Sequence, residues 1–119
     1  MASEAFGAML RRLRQARTMV APIQPGNPSS RLVERALSQN ELAHRAGVTA
    51  GAVHRLEDGA HRPTPETARL LAEALELDEA DACRLLVSAG FWPWPDDPER
   101  TERALAAVER GAAIGQEAG

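Results

Sequence analysis

The sequence has 119 residues, a length that suits one compact domain with a single hydrophobic core. Hydrophobic residues make up 44 % and charged residues 26 % of the chain, a balance typical of a globular protein. The single cysteine, Cys83, excludes an internal disulfide and a multi-thiolate metal site. No apolar run approaches the roughly 20 residues of a membrane span, and residues 1–10 lack the layout of a signal peptide, so we expect a cytoplasmic protein without membrane contact.

Charge is distributed unevenly along the chain, although the formal net charge is only −3. Residues 1–62 hold nine arginines and five acidic residues, a balance of +4. Residues 63–119 hold five arginines and twelve acidic residues, a balance of −7. Such an asymmetry is a hint that the basic half contacts nucleic acid.

The first predicted element is a helix over residues 3–17, where apolar residues recur at helical spacing. The next residues, 18–30, are rich in proline, glycine, asparagine and serine, and they predict a surface loop. A short helical turn is expected at 31–37. We therefore expect the whole segment 18–36 to be a surface excursion that leaves the helices on either side packed together.

A pair of short helices is predicted next. Ser38 and Glu41 have the spacing of a capping box, which opens a helix over 38–46. Gly47 suits the left-handed residue of a tight helix end, and a further helix follows over 50–58. Two short helices joined by so brief a glycine-containing turn have the geometry of a helix-turn-helix.

Three further helices are predicted at 65–76, 79–89 and 98–111 from their start and stop residues. Three of the four aromatic residues of the chain lie in the extended segment 91–95, before the last helix. The last helix has only a sparse apolar stripe, which is too thin to stabilise a separate domain, so this helix must pack against another part of the protein or a second copy of it. We expect it and the aromatic segment to cover the core within one chain or to form a homodimer contact.

Several motifs occur together around the helix pair. They are Ser38-Gln39-Asn40-Glu41-Leu42-Ala43, Ala46-Gly47-Val48, Leu56-Glu57-Asp58-Gly59 and Arg62-Pro63-Thr64-Pro65. Through these motifs the sequence resembles the Cro and phage-repressor class of helix-turn-helix proteins, the xenobiotic-response-element (XRE) family. The resemblance covers residues 5–17 and 37–90.

The resemblance implies an all-α fold. It would be a five-helix, phage-repressor-like helix-turn-helix domain over residues 3–90, with 18–36 as an inserted loop between its first two helices. An aromatic linker and an extra C-terminal helix would follow over 91–119. The resemblance also implies that Arg14 and Glu57 form a structural ion pair.

The function implied by the resemblance is sequence-specific transcriptional regulation by a homodimer on double-stranded DNA, with the helix at 50–58 in the major groove. Arg55 projects from that helix, and its guanidinium suits the two acceptors of guanine. The candidate DNA-binding residues are Gln39, Thr49, Ala50, Gly51, Ala52, His54, Arg55 and Arg62. Arg11, Arg12 and Arg17 are further candidates for phosphate contact, the alternative being a solvated helix face.

Two departures from the family pattern bear on the strength and sequence selectivity of DNA binding. One is the insertion at 18–36, and the other is the sequence Ala50-Gly51-Ala52, where the family often places polar base readers. The small residues at 50–52, the acidic second half of the chain and the two tryptophans favour an alternative of a different class. This alternative is a protein-interaction module or antitoxin-like partner protein that kept the fold, and a regulatory protein partner stays open. No nucleophile motif, phosphate-binding glycine loop or metal-ligand spacing is present, so we expect no enzymatic activity, metal or cofactor.

Overall fold

The structure, a computed structural model, describes residues 2–111, with side chains from Glu4 onward. This part of the chain is mostly helical, with six helices and one small sheet. The elements are α1 (Ala2–Ala16), β1 (Thr18–Pro22), β2 (Leu32–Ala36), α2 (Gln39–Ala46), α3 (Ala50–Glu57), α4 (Pro65–Ala74), α5 (Glu79–Ser88) and α6 (Pro98–Glu109). Within the described residues, none of the helices has the length and apolarity to cross a membrane.

All six predicted helices are present, each with ends within two residues of its predicted bounds. Their ends are fixed by local hydrogen bonds. The Thr64 hydroxyl accepts from the Thr67 amide at the start of α4, and the Asp78 carboxylate accepts from the Asp81 amide at the start of α5. The predicted segment 91–119 includes residues 112–119, which lie outside the described part of the chain.

The prediction of a loop over 18–36, with a helical turn at 31–37, is wrong. Strands β1 and β2 pair antiparallel, with Thr18 opposite Ala36 and Pro22 opposite Leu32. The residues that favoured a loop form the turn between the strands, and Pro22 lies at the end of β1, where its missing N–H is tolerated. The expected all-α fold is corrected accordingly to a mostly helical fold that carries a two-stranded hairpin.

The hydrophobic core lies between α1, the helix pair α2–α3, and α4 and α5. α1 packs on both α3 and α5, so it joins the helix pair to the rest of the domain. The largest side chains that are fully buried in this core are Phe6, Leu10, Leu37, Leu42, Val53, Leu71, Leu75, Leu85 and Leu86. Cys83 is also buried as a free thiol, and burial raises the pKa of that thiol.

The aromatic segment and α6 cover the outer side of α5. Thr101 and Ala104 of α6 are fully buried, and the Thr101 hydroxyl donates to the Trp94 carbonyl at 3.0 Å. The Trp94 amide donates back to the Thr101 hydroxyl at 3.1 Å, and the Arg100 guanidinium lies 4.1 Å from the Trp94 ring centroid. The segment therefore docks within its own chain, whereas Trp92 remains 56 % exposed. A homodimer contact through this segment stays a prediction.

Gly7 marks the closest approach of α1 to α3. A Cβ atom added at Gly7 would lie 2.4 Å from the Leu56 carbonyl oxygen and 2.7 Å from the Glu57 carbonyl oxygen. Both oxygens belong to the backbone at the end of α3, so neither can rotate away as a side chain would. Only glycine lets the two helices cross at this distance.

We expect Gly7→Ala to lower the free energy of unfolding by about 2 kcal/mol, because the added methyl group overpacks a backbone contact. Alanine favours helix more than glycine does, so a loss must come from the helix crossing rather than from α1 itself. Urea denaturation measures the change. The matched control is Gly51→Ala, where the nearest atoms are at the end of the Arg55 side chain rather than in the backbone, and its stability should not fall. A Gly7→Ala protein as stable as the wild type would contradict the close crossing.

The hairpin should be dispensable for stability. Most of its residues are exposed, and Met19 and Arg35 face each other across the strands near its base. Replacing residues 20–34 by Asn-Gly, which closes two-residue hairpins, should keep the melting temperature within about 4 °C of the full chain. Differential scanning calorimetry measures this shift. A much larger fall would mean that the hairpin is part of the core.

Candidate nucleic-acid interface

The helix pair α2–α3 is held by the capping interactions that the sequence predicts. The Glu41 amide donates to the Ser38 hydroxyl at 3.1 Å, and the Ser38 amide donates to the Glu41 carboxylate at 3.0 Å. Gly47 ends α2 in the left-handed region, with φ at 74°, and its amide donates to carbonyls of the last turn. The Thr49 hydroxyl then caps α3 by accepting from the Ala52 amide at 3.1 Å.

The base of the hairpin is tied to the start of α2. Arg35 donates to both carboxylate oxygens of Glu41, at 2.6 and 3.0 Å. This Arg35 guanidinium and the Ser38 amide lower the pKa of Glu41 to about 2. Arg35 is therefore engaged within the chain, which leaves Arg31 as the hairpin arginine without an ion pair to the described residues.

The buried carboxylate of Glu57 joins the first three helices. Arg14 of α1 donates to its two oxygens at 2.7 and 3.0 Å, and Arg11 donates at 3.3 Å. Gln39 of α2 donates to the same carboxylate at 3.1 Å, and Arg14 also donates to the Leu37 carbonyl at 2.8 Å. The structural ion pair between Arg14 and Glu57 is thereby confirmed.

Glu57 is charged in this environment because its donors outweigh its burial. Burial alone would raise the pKa of this carboxyl, since its side chain has no exposed surface. The hydrogen bonds from Arg14 and Gln39 act in the opposite direction, and the net result is a pKa below the ordinary value of 4.5. A buried charge with this number of donors fixes α3 relative to α1 and α2.

The outer face of α3 is small and mostly exposed. Ala50 and Ala52 are half-buried, and Gly51 is exposed between them. His54 lies 3.0 Å from the Asp58 carboxylate, one turn further along the helix. Arg55 is exposed and has no ion pair with any residue that the structure describes.

The remaining predicted site residues lie at the edges of this face. Gln39 begins α2, but its amide nitrogen is used by Glu57, so it supports the position of α3 from within the protein. Thr49 is the N-cap of α3. Arg62 is exposed after α3, with a guanidinium nitrogen 3.7 Å from the Cβ position of Gly90, where α5 ends. DNA contact by these residues stays a prediction.

The arginines of α1, and Arg17 directly after it, differ in whether they form ion pairs within the protein. Arg11 pairs with Glu57 and Asp58, and Arg17 pairs with Glu76, so two of the three candidates for phosphate contact already have carboxylate partners. Arg12 is exposed without an ion pair in the described chain. Arg45, in the last turn of α2, is equally exposed, and it was not among the predicted contact residues. Its sequence signal was the basic residue at the end of a short helix.

Fold and site define a helix-turn-helix domain, a motif whose second helix enters the major groove of DNA in DNA-binding proteins. The family model described as a helix-turn-helix domain matches residues 5–85, and the chain belongs to that family. The match includes the hairpin between α1 and α2 and ends within α5. No curated protein and no solved structure matches the chain.

We expect Glu57→Gln to lower the free energy of unfolding at neutral pH by about 3 kcal/mol, because it leaves the Arg14 guanidinium without its buried counter-charge. The lowered pKa of Glu57 means that its ionised form adds stability above pH 4.5, and that this stability is lost as the pH falls through the lower, folded-state pKa. The difference between wild type and variant should therefore shrink on acidification below pH 4.5.

Chemical denaturation between neutral and acidic pH measures both effects. Glu102→Gln, a change at an exposed position of α6, is the control for removal of one negative charge. Equal stability of Glu57→Gln and wild type at neutral pH would show that the carboxylate does not join the helices.

Proposed function

We propose that this protein is a sequence-specific DNA-binding transcriptional regulator of the XRE type. In this proposal α3 lies in the major groove of double-stranded DNA, and the starts of α2 and α3 face the phosphates on either side. The observation that carries the proposal is the exposed Arg55 guanidinium, which has no carboxylate partner in the described chain. Arg55 projects from α3, and the hydrogen bonds that Glu57 accepts from Arg14 and Gln39 fix the position of this helix.

The local charge around α3 supports a polyanionic partner. Both acidic residues at the end of α3 have arginine partners, Glu57 with Arg14 and Asp58 with Arg11, and Asp58 also lies 3.0 Å from the His54 imidazole. Arg45, Arg55 and Arg62 are left as exposed cations of the helix pair and the loop that follows it. Cations of this kind are the groups that contact phosphates and guanine edges.

We further propose that the protein acts in the cytoplasm, without a cofactor and without catalysis, as a two-fold dimer. Two copies related by a two-fold axis would place their α3 helices in successive major grooves, on half-sites about 34 Å apart. A near-palindromic operator is the expected target.

The salt dependence of the affinity for DNA tests the first part of the proposal, that the protein binds DNA. Fluorescence anisotropy with labelled genomic and random duplexes should give affinities that fall steeply as salt rises, because arginines displace counterions from the phosphates. A protein that binds neither kind of duplex at any salt concentration would contradict the proposal.

Arg55→Ala tests the role of α3. At the preferred site, this change should weaken binding by about 1–3 kcal/mol and relax the preference for one base pair. Arg110→Ala, at the exposed end of α6, is the matched control and should bind like the wild type. Equal weakening of Arg55→Ala on all sequences would make Arg55 a phosphate contact, and no weakening would remove it from the interface.

A second candidate function, protein interaction, is favoured by the hairpin. Its large apolar side chains are unusually exposed, with Val20 at 59 %, Ile23 at 57 % and Leu32 at 65 %. The Ile23 amide donates to the Arg31 carbonyl at 3.0 Å, so alternate residues of β2, beginning with Leu32, direct their backbone groups to an open edge. An apolar hairpin with an open edge is a surface on which a protein can pair.

Sedimentation velocity tests this candidate with a Val20→Ser and Leu32→Ser double variant. If the hairpin joins two copies, the wild type should sediment as a dimer and the variant as a monomer with the same melting temperature. Arg31→Ser is the control for a polar change on the same hairpin. An unchanged oligomeric state in the double variant would contradict self-association through the hairpin.

A further inference from the structure

The fold does not explain why residue 51 is a glycine. It lies in the first turn of α3, it is exposed, and its φ is not among the positive values that require glycine. Glycine in such a position weakens a helix relative to alanine. Gly7 is kept by a backbone contact, but no comparable contact exists at Gly51.

The space above Gly51 is occupied by Arg55. A Cβ atom added at Gly51 would lie 3.1 Å from Nη1 of Arg55 and 3.8 Å from its Cζ and Nη2, and these are the three nearest atoms. The two residues are one helical turn apart, and a long side chain on a helix points back towards the preceding turn. The guanidinium of Arg55 therefore lies over the bare backbone of the first turn of α3.

From this geometry we propose that Gly51 is a specificity-determining residue. The space left by its missing side chain, called the seat below, holds the Arg55 guanidinium in the position from which it recognises guanine. The inference rests on the proposed function, because it concerns how α3 recognises DNA. In a helix-turn-helix, the first turn of the second helix is the part that reaches base edges. The seat brings the guanidinium of a residue near the end of α3 to that first turn.

The neighbouring residues favour this position of Arg55. Ala50 and Ala52 on either side of Gly51 carry only methyl side chains, and Asp58, at the end of α3, already pairs with Arg11 and lies 3.0 Å from the His54 imidazole. No carboxylate of the described chain draws Arg55 away from Gly51. A methyl group at residue 51 would fill the seat, and the flexible guanidinium would move outward to a different base or to a phosphate.

The test is a double-mutant cycle on the full chain. A preferred duplex is first selected by the wild type from randomised DNA. Affinities of the wild type, Gly51→Ala, Arg55→Ala and the double variant are then measured on that duplex and on duplexes with single base-pair changes. Thermal denaturation of all four proteins shows whether the fold is retained.

We expect Gly51→Ala to melt no lower than the wild type and still to lose most of its discrimination at one G·C pair. A bidentate contact from arginine to guanine is worth about a fivefold preference or more. In the Arg55→Ala background, Gly51→Ala should cause no further change in discrimination, because the seat has no occupant.

Two outcomes would overturn the inference while leaving the proposed function intact. Gly51→Ala could keep the full base preference of the wild type, or it could alter the preference equally with and without Arg55. A wild type that selects no sequence and binds no duplex would overturn the proposed function itself, and the role of Gly51 with it. A wild type that binds DNA without selecting a sequence would overturn the role of Gly51 and the sequence specificity of the proposed function, but not DNA binding itself.

Discussion

The buried charge of Glu57 is the interaction on which the arrangement of the first three helices depends. One carboxylate without exposed surface receives hydrogen bonds from Arg14, Arg11 and Gln39, so α1 and α2 both hold the end of α3. A charge removed from water is tolerated only when its partners remain in place, so this cluster stabilises one relative orientation of the three helices. The outer face of α3 can be small and exposed because its position is determined from the buried side.

The hairpin can interrupt the chain between α1 and α2 because its base is fixed at several points. The Leu37 amide donates to the Arg17 carbonyl at 2.9 Å, and Leu37 itself is fully buried. The pair of Arg35 and Glu41 then joins the hairpin to the capping box of α2. The relation of α1 to α2 is therefore set at this base, which leaves the distal part of the hairpin available for another role.

Sequence reasoning was accurate where structure is encoded locally. The capping residue Ser38 and the left-handed Gly47 act over a few residues, and the structure confirms both. The hairpin was missed because the turn residues at 23–31 indicate a loop whether or not strands flank them, and pairing between β1 and β2 is not a local signal. Gly7 was missed for a related reason, since its neighbour in α3 lies about fifty residues further along the chain. The resemblance to repressor proteins supplied the pair of Arg14 and Glu57, which composition and spacing alone do not indicate.

Nuclear magnetic resonance of the ¹⁵N-labelled full chain shows residue by residue whether α3 is the surface that contacts DNA. A duplex selected from random DNA is titrated into the protein, and the amide shifts are followed by residue. We expect the largest changes in residues 49–55 and at the start of α2, with an Arg55 side-chain signal among them. Changes confined to the hairpin at 18–36 or to α6, with α3 unaffected, would contradict this expectation.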